Sequence, residues 1–330
     1  MKTTQVLDGG HSVYSNKKTN LFFSHLILLG SLLFLTSCLD DNLSVVSEVN
    51  QDFEGITNVE VDGSFMEVQY IGESGKQLLN LNAELRSNSN KKYEVKYRIV
   101  GSTLQVFIET NKGLFSGSAQ GEGYIKLTGP RNMKLDLEAG SGKVDVQNVV
   151  ATETKLQVGS GSVTAKNITS PQISLDVSSG TAKIEEITGL VKATVSSGKL
   201  EINRIDGDVV ADGSSGQILF KDINGRVDSN ISSGKIEMTN VKSIGQINVS
   251  SGQLFATNSG LSPQTNLKAS SGNIYIQTFS DLRGFNFNIT AGSGTVRVGD
   301  SQSSGTLNIN NGSAHTIRGE VSSGKIEIVN

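Results

Sequence analysis

Apolar and polar residues alternate along most of this chain, and the alternation restarts about every 18 residues at Ser-Ser-Gly or a near variant. The series runs through Gly142, Gly161, Gly180, Gly198, Gly216, Gly234, Gly252, Gly272 and Gly294. It then continues less regularly at Gly305, Gly312 and Gly324. Two residues past the glycine stand Val163, Leu200, Ile218 and Ile274; four past it stand Ile184, Ile202, Phe220 and Ile276. Three before it stand Val158, Val177 and Ile231; five before it stand Leu156, Leu175 and Leu267. Period two on both sides of a turn predicts two short, half-buried strands per repeat.

A second turn follows the second strand, at Thr188-Gly189, Asp206-Gly207-Asp208 and Asn224-Gly225. At Ser-Ser-Gly the expected role of glycine is to take φ > 0 without steric cost. A flexible Gly/Ser linker would have no reason to keep Val and Ile in phase over so many cycles. A left-handed hexapeptide helix would need an aliphatic residue every six, yet Thr169, Thr188, Asp206 and Asn224 fall there. An antiparallel meander would leave its apolar face uncovered and two edges bare. The expected fold is therefore all-β, a parallel β-solenoid (β-helix) with about 18 residues and two short strands per coil. The crossover rule makes it right-handed. Roughly ten coils at ~4.8 Å each would span on the order of 50 Å.

Residues 52–126 have a different texture, with longer alternating runs at 58–61, 65–71, 78–85, 93–100 and 104–109, and Gly101-Ser102 as a hairpin turn. They read as an N-terminal β cap, because terminal coils need a cover against end-to-end pairing. The repeats occupy 127–330. Their last strand, 325–329, carries charges expected to blunt an open C-terminal edge.

The first 37 residues read as a lipoprotein signal peptide: Lys17 and Lys18 precede an apolar run, 21–35, that is short for a membrane span. Leu35-Thr36-Ser37-Cys38 resembles a bacterial lipobox, so Cys38 is the expected lipidation site and 38–51 a lipidated tether. Cys38 is the one cysteine, which excludes an intramolecular disulfide. Leu39 in place of Asp removes the inner-membrane retention signal, and Asp40-Asp41 resembles the export tract of surface lipoproteins in the Bacteroidetes. The expected location is the outer membrane, anchored by lipid and exposed at the cell surface.

Phe53-Glu54-Gly55-Ile56, Val61-Asp62-Gly63 and Ile125-Lys126-Leu127-Thr128-Gly129-Pro130 resemble the auto-transporter adhesin family with a head GIN domain. The Ser-Ser-Gly-Lys-Ile-Glu-Ile strings are similar to an adhesin-like β-strand-repeat family of bacteria. The resemblance implies a right-handed β-helix, secretion and a cell-surface role, and brings no catalytic residues.

Little in the sequence points to chemistry. His315 is the one histidine beyond the signal region, so neither a zinc cluster nor a Ser/His/Asp arrangement is expected. No cofactor or metal is expected. A net charge of −3 with mixed signs and no basic aromatic patch argues against nucleic acid. The expected function is a non-catalytic, adhesin-like or structural β-helical rod whose side wall binds glycan or protein. The alternatives are a carbohydrate-active β-helix enzyme or a periplasmic envelope-stress scaffold. Leu219, Phe255 and Tyr275 share one outward strand position, with Phe255 and Tyr275 expected as vertical neighbours, a ligand platform. Asn230, Asn248, Asn266 and Asn288 mark the opposite sheet.

Overall fold

Strands one repeat apart pair in parallel and in register, so each residue lies above its equivalent in the previous repeat. The computed structural model describes residues 43–88, 93–110 and 120–330, all within the unit Leu43–Asn330. Ser162–Val177 runs beside Thr181–Val195 with Val163 opposite Ala182 and Leu175 opposite Ala193. Gln217–Ile231 lies in the same way beside Lys235–Val249, with Ile218 opposite Ile236 and Phe220 opposite Met238. The inward positions form columns of β-branched and aliphatic side chains; Val163, Leu200, Ile218, Ile236 and Ile274 are all buried. The architecture is all-β and solenoid-like, as the alternation predicts.

The reason for the glycines differs from the expectation. Of the glycines in this series, Gly312 alone has a positive φ (72°). Those from Gly142 to Gly294, and Gly324, lie instead directly against the glycine of an adjacent layer. A Cβ on Gly198 would come 1.9 Å from the carbonyl oxygen of Gly180, and one on Gly180 2.0 Å from that of Gly161. Backbone bonds carry the ladder through this turn, as in Ser197 N–H to the Ser178 carbonyl (2.8 Å) and Ser215 N–H to the Ser196 carbonyl (2.7 Å). Glycine is required here for close approach. Gly305 and Gly312 stand outside the column, since a Cβ on Gly305 would meet nothing nearer than 3.9 Å.

The left-handed residue sits at the second turn, six past the glycine. Asn148, Asn167, Glu186, Arg204, Asp222, Asn240 and Asn258 have φ between 47° and 60°. Asn and Asp tolerate this region better than other non-glycine residues, which accounts for most of the column.

The two ends depart from sequential stacking. Near the N-terminus, Asn58–Asp62 lies between Thr103–Thr110 and Lys134–Ala139, parallel to both. Glu67–Glu73 lies likewise between Gly121–Pro130 and Lys143–Val150. Antiparallel strands finish this end: Leu79–Ser87 on Gly121–Pro130, and Tyr93–Val100 hairpinned to Thr103–Thr110 through Gly101 (φ 61°). Ser44–Phe53 pairs with Leu79–Ser87, so the expected tether 38–51 gives way to ordered strand from Ser44 onward. The expected boundary at 126/127 falls inside the strand Gly121–Pro130.

At the C-terminus, Thr316–Val321 inserts between Leu261–Ala269 and Asn286–Ala291, and Lys325–Val329 between Asn273–Gln277 and Thr295–Val298. The last strand is thus an interior strand, contrary to the open edge expected of it. The outer cover comes from Ser301–Ser303 and Thr306–Ile309, which pair antiparallel to Thr295–Val298 and Asn286–Ala291. Very short edge strands are one of the ways in which a sheet blunts an exposed edge.

Candidate functional site

In-register stacking turns each outward strand position into a column on the side wall. The column three past the glycine reads Leu219, Glu237, Phe255, Tyr275, Glu327 and Arg297 through consecutive layers. Phe255 and Tyr275 are direct neighbours, with ring centroids 5.1 Å apart and planes 11° from parallel. Parallel strands are ~4.8 Å apart, and this spacing alone brings two rings at one position into stacking range. Phe255 is 47% exposed, so much of its ring is open to solvent. Leu219 is set apart, because Glu237 occupies the layer between it and Phe255.

Glu237 and Glu327 flank the stack, and both are committed to cations. Lys235 approaches Glu237 at 2.7 Å, and Gln217 donates to the same carboxylate at 3.0 Å. Lys325 pairs with Glu327, as does Arg297 at 3.0 Å. The Lys235 hydrogen bond holds Glu237 below the usual carboxylate range, and the Lys325 bond does the same for Glu327. Two carboxylates held ionised in this way offer no general acid near neutral pH.

Around the corner of the same layers run two ladders of polar side chains, of which only Asp206 and Asn224 belong to the turns expected from the sequence. Asn258 donates to Asn240 and Asn240 to Asp222, both at 2.7 Å. Beside it Lys242 donates to Asn224 (3.1 Å) and Asn224 to Asp206 (2.9 Å). Asp222, Asn240, Asn258, Asn224 and Lys242 line a shallow, open groove of about 380 Å³, and Phe279 lies at its edge. Phe279 is 58% exposed, and its ring lies against Gly260, where a Cβ would come 2.7 Å from the ring. Thr239 and Thr257, whose hydroxyls are 3.4 Å apart, lie on the strands between the wall column and this groove. The available signal was the recurrence of Asn or Asp six past the glycine.

A family model for Toastrack DUF4097 matches residues 56–329. The chain belongs to this family. The match spans both the expected cap and the repeats. No curated protein matches the chain. Among solved structures, a candidate adhesin from Bacteroides fragilis NCTC 9343 is 12% identical with a TM-score of 0.39, covering 86% of this chain and 97% of that one. A candidate lipid-binding protein from Parabacteroides distasonis ATCC 8503 is 15% identical with a TM-score of 0.47, over 86% and 97%. A candidate cell adhesion protein from Clostridium sporogenes ATCC 15579 is 10% identical with a TM-score of 0.21, over 85% and 98%. Likeness at this level says nothing about what the Toastrack chain binds. The expected resemblance named an auto-transporter adhesin family with a head GIN domain; the family shown is Toastrack DUF4097.

The other sequence-derived positions of this Toastrack chain separate. Asn230 and Asn248 are in register, and Asn248 donates to Asn230, which donates to Asp212 at 2.6 Å. Asn266 and Asn288 belong to a neighbouring column on either side of Arg318. Near the N-terminus Glu60, Asp62, Asp136 and Glu138 share a cavity of about 280 Å³ with Arg98. Burial raises the pKa of Asp136, with Glu60 adding to the effect. No group of His, Cys, Asp or Glu suited to a metal ion occurs among the described residues. Cys38 and the signal segment lie outside the described residues.

Proposed function

We propose that this Toastrack chain is a cell-envelope lipoprotein, anchored through Cys38 in the outer membrane, that binds a surface glycan or protein on its side wall without catalysis. The stacked, half-open pair Phe255–Tyr275 carries this reading. An aromatic face aligned with the wall is what a sugar ring or an apolar side chain packs against, and burying it supplies affinity without deep walls. The ion-paired state of Glu237 and Glu327 supports a binding role over the alternative of a polysaccharide lyase or hydrolase. We infer a right-handed winding from the crossover preference of parallel strands. The platform stands seven layers from the Glu67–Glu73 strand, about 34 Å at ~4.8 Å per layer.

The test is retention of the protein on immobilised glycans and on extracted surface proteins. Phe255→Ala with Tyr275→Ala should abolish it while leaving the melting temperature within a few degrees. Undiminished retention, or release of reducing or unsaturated sugar ends, would overturn the proposal. Protease shaving of intact cells, and fractionation of a Cys38→Ala protein, test the location separately.

A further inference from the structure

We propose that the groove of paired Asn/Asp ladders ending at Phe279 is a second binding subsite, and that its ligand is an uncharged linear glycan lying along the stacking direction. The inference rests on the reading of the chain as a glycan or protein binder, and it names the glycan. Three observations point to this ligand class.

The first is the hydrogen-bonding inventory. A side-chain amide has two N–H donors and two acceptor lone pairs. In the Asn258–Asn240–Asp222 ladder Asn240 spends one donor and one lone pair on its neighbours, which leaves one of each for a ligand. Sugar hydroxyls both donate and accept, so they suit such a lining. The ladder runs through three successive layers, ~4.8 Å apart. A polymer with a hydroxyl-bearing unit at a comparable step meets equivalent partners along its length.

The second is the ring. Phe279 is largely exposed at the edge of the groove and is seated on Gly260, whose missing side chain makes room for it. It presents an apolar face to the groove where a pyranose ring would stack.

The third is charge. The lining holds one carboxylate, Asp222, and one ammonium, Lys242, while Asp206 accepts from Asn224 in the adjoining ladder. No positive excess is present to hold a polyanion.

Detergent-solubilised full-length protein would be passed over immobilised dextran, mannan and hydroxyethylcellulose, and over polygalacturonate as the acidic control. Wild type should be retained on at least one neutral polymer and not on polygalacturonate. Phe279→Ala should weaken that retention several-fold, up to ~10-fold, the scale of one lost ring contact. Asn240→Gly, which keeps the left-handed backbone and removes the amide, should weaken it similarly. If Asn240→Gly does not fold, the exposed Phe279→Ala variant carries the test. Retention that survives both substitutions, retention on polygalacturonate alone, or no retention on any neutral polymer would overturn the subsite. Loss only in Phe255→Ala with Tyr275→Ala would also overturn it and leave the platform standing. Loss only in the groove variants would support the subsite and remove the platform.

Discussion

The middle of the molecule and its two ends are built from the same strands by different rules of order. From Lys134 to Gln277 each layer lies on the one that precedes it in sequence, so an 18-residue spacing translates directly into contact. At the ends that correspondence breaks. Asn58–Asp62 and Glu67–Glu73 are enclosed by strands that follow them, and Thr316–Val329 enters between two layers already laid down. Nearest-neighbour stacking is enough for the interior of a repeat protein, but a terminal repeat exposes a full edge. Here an out-of-order layer ties each end to chain from elsewhere, and antiparallel strands finish it.

Removing the inserted C-terminal layer should therefore have the largest effect. A chain ending at His315 loses two strands with neighbours on both sides, and with them Ile317, Val321, Ile326 and Ile328, all fully buried. The expected cost is on the order of the ~5–15 kcal/mol that stabilises a whole domain, at least for the distal layers. Limited proteolysis should then cut beyond Gln277 while the central layers resist. Removing Ser44–Phe53, which among the described residues has a strand partner on one side alone, should do less. If the chain ending at His315 melts like wild type, the inserted layer is not what secures this end.

Glycines give a smaller and sharper contrast. Gly198→Ala forces a Cβ to within 1.9 Å of a backbone oxygen that cannot move without shifting the layer below. Overpacking of this kind costs about 1–3 kcal/mol, and more where backbone must give. Gly305→Ala, in the same Ser-Ser-Gly string but outside the column, should stay within about 0.5 kcal/mol of wild type in denaturant unfolding. Equal effects at the two positions would contradict the steric account.

That contrast also shows where sequence legibility stops. The period, the inward alternation and the Phe255–Tyr275 contact could be read because in-register stacking makes them functions of position alone. The separation of Leu219 was readable too, by counting through Glu237. The reason for the glycines was not, because it lies in the distance between two layers and not in local φ preference. The left-handed column was blurred by Glu186 and Arg204, which occupy it through a mutual ion pair at 2.9 Å in place of an amide ladder. The Phe279 groove needs stacked turns before it exists at all. Insertion of the last layer is a choice between neighbours with the same apolar pattern: Ile326 fits beside Ile274 as well as Val296 would.

Acid should distinguish the two ends, with the smallest effect of the three. Glu327, in the inserted layer, is held below the usual carboxylate range first by Lys325 and also by Arg297, against some burial. Its contribution to stability is complete above the unfolded pKa, ~4.3, and is lost as pH falls through the lower folded value. Asp136, near the N-terminus, is shifted the other way, mainly by burial, with Glu60 adding to it. Its ionised form disfavours the fold, a cost that disappears as pH falls through the raised folded pKa toward the unfolded one. Glu327→Gln should therefore be less stable than wild type at pH 7, and Asp136→Asn more stable. Both differences should shrink toward zero in denaturant unfolding between pH 7 and pH 3.5, from opposite sides. Two differences of the same sign at pH 7 would mean that the ends do not differ electrostatically, and that their contrast is one of strand order alone.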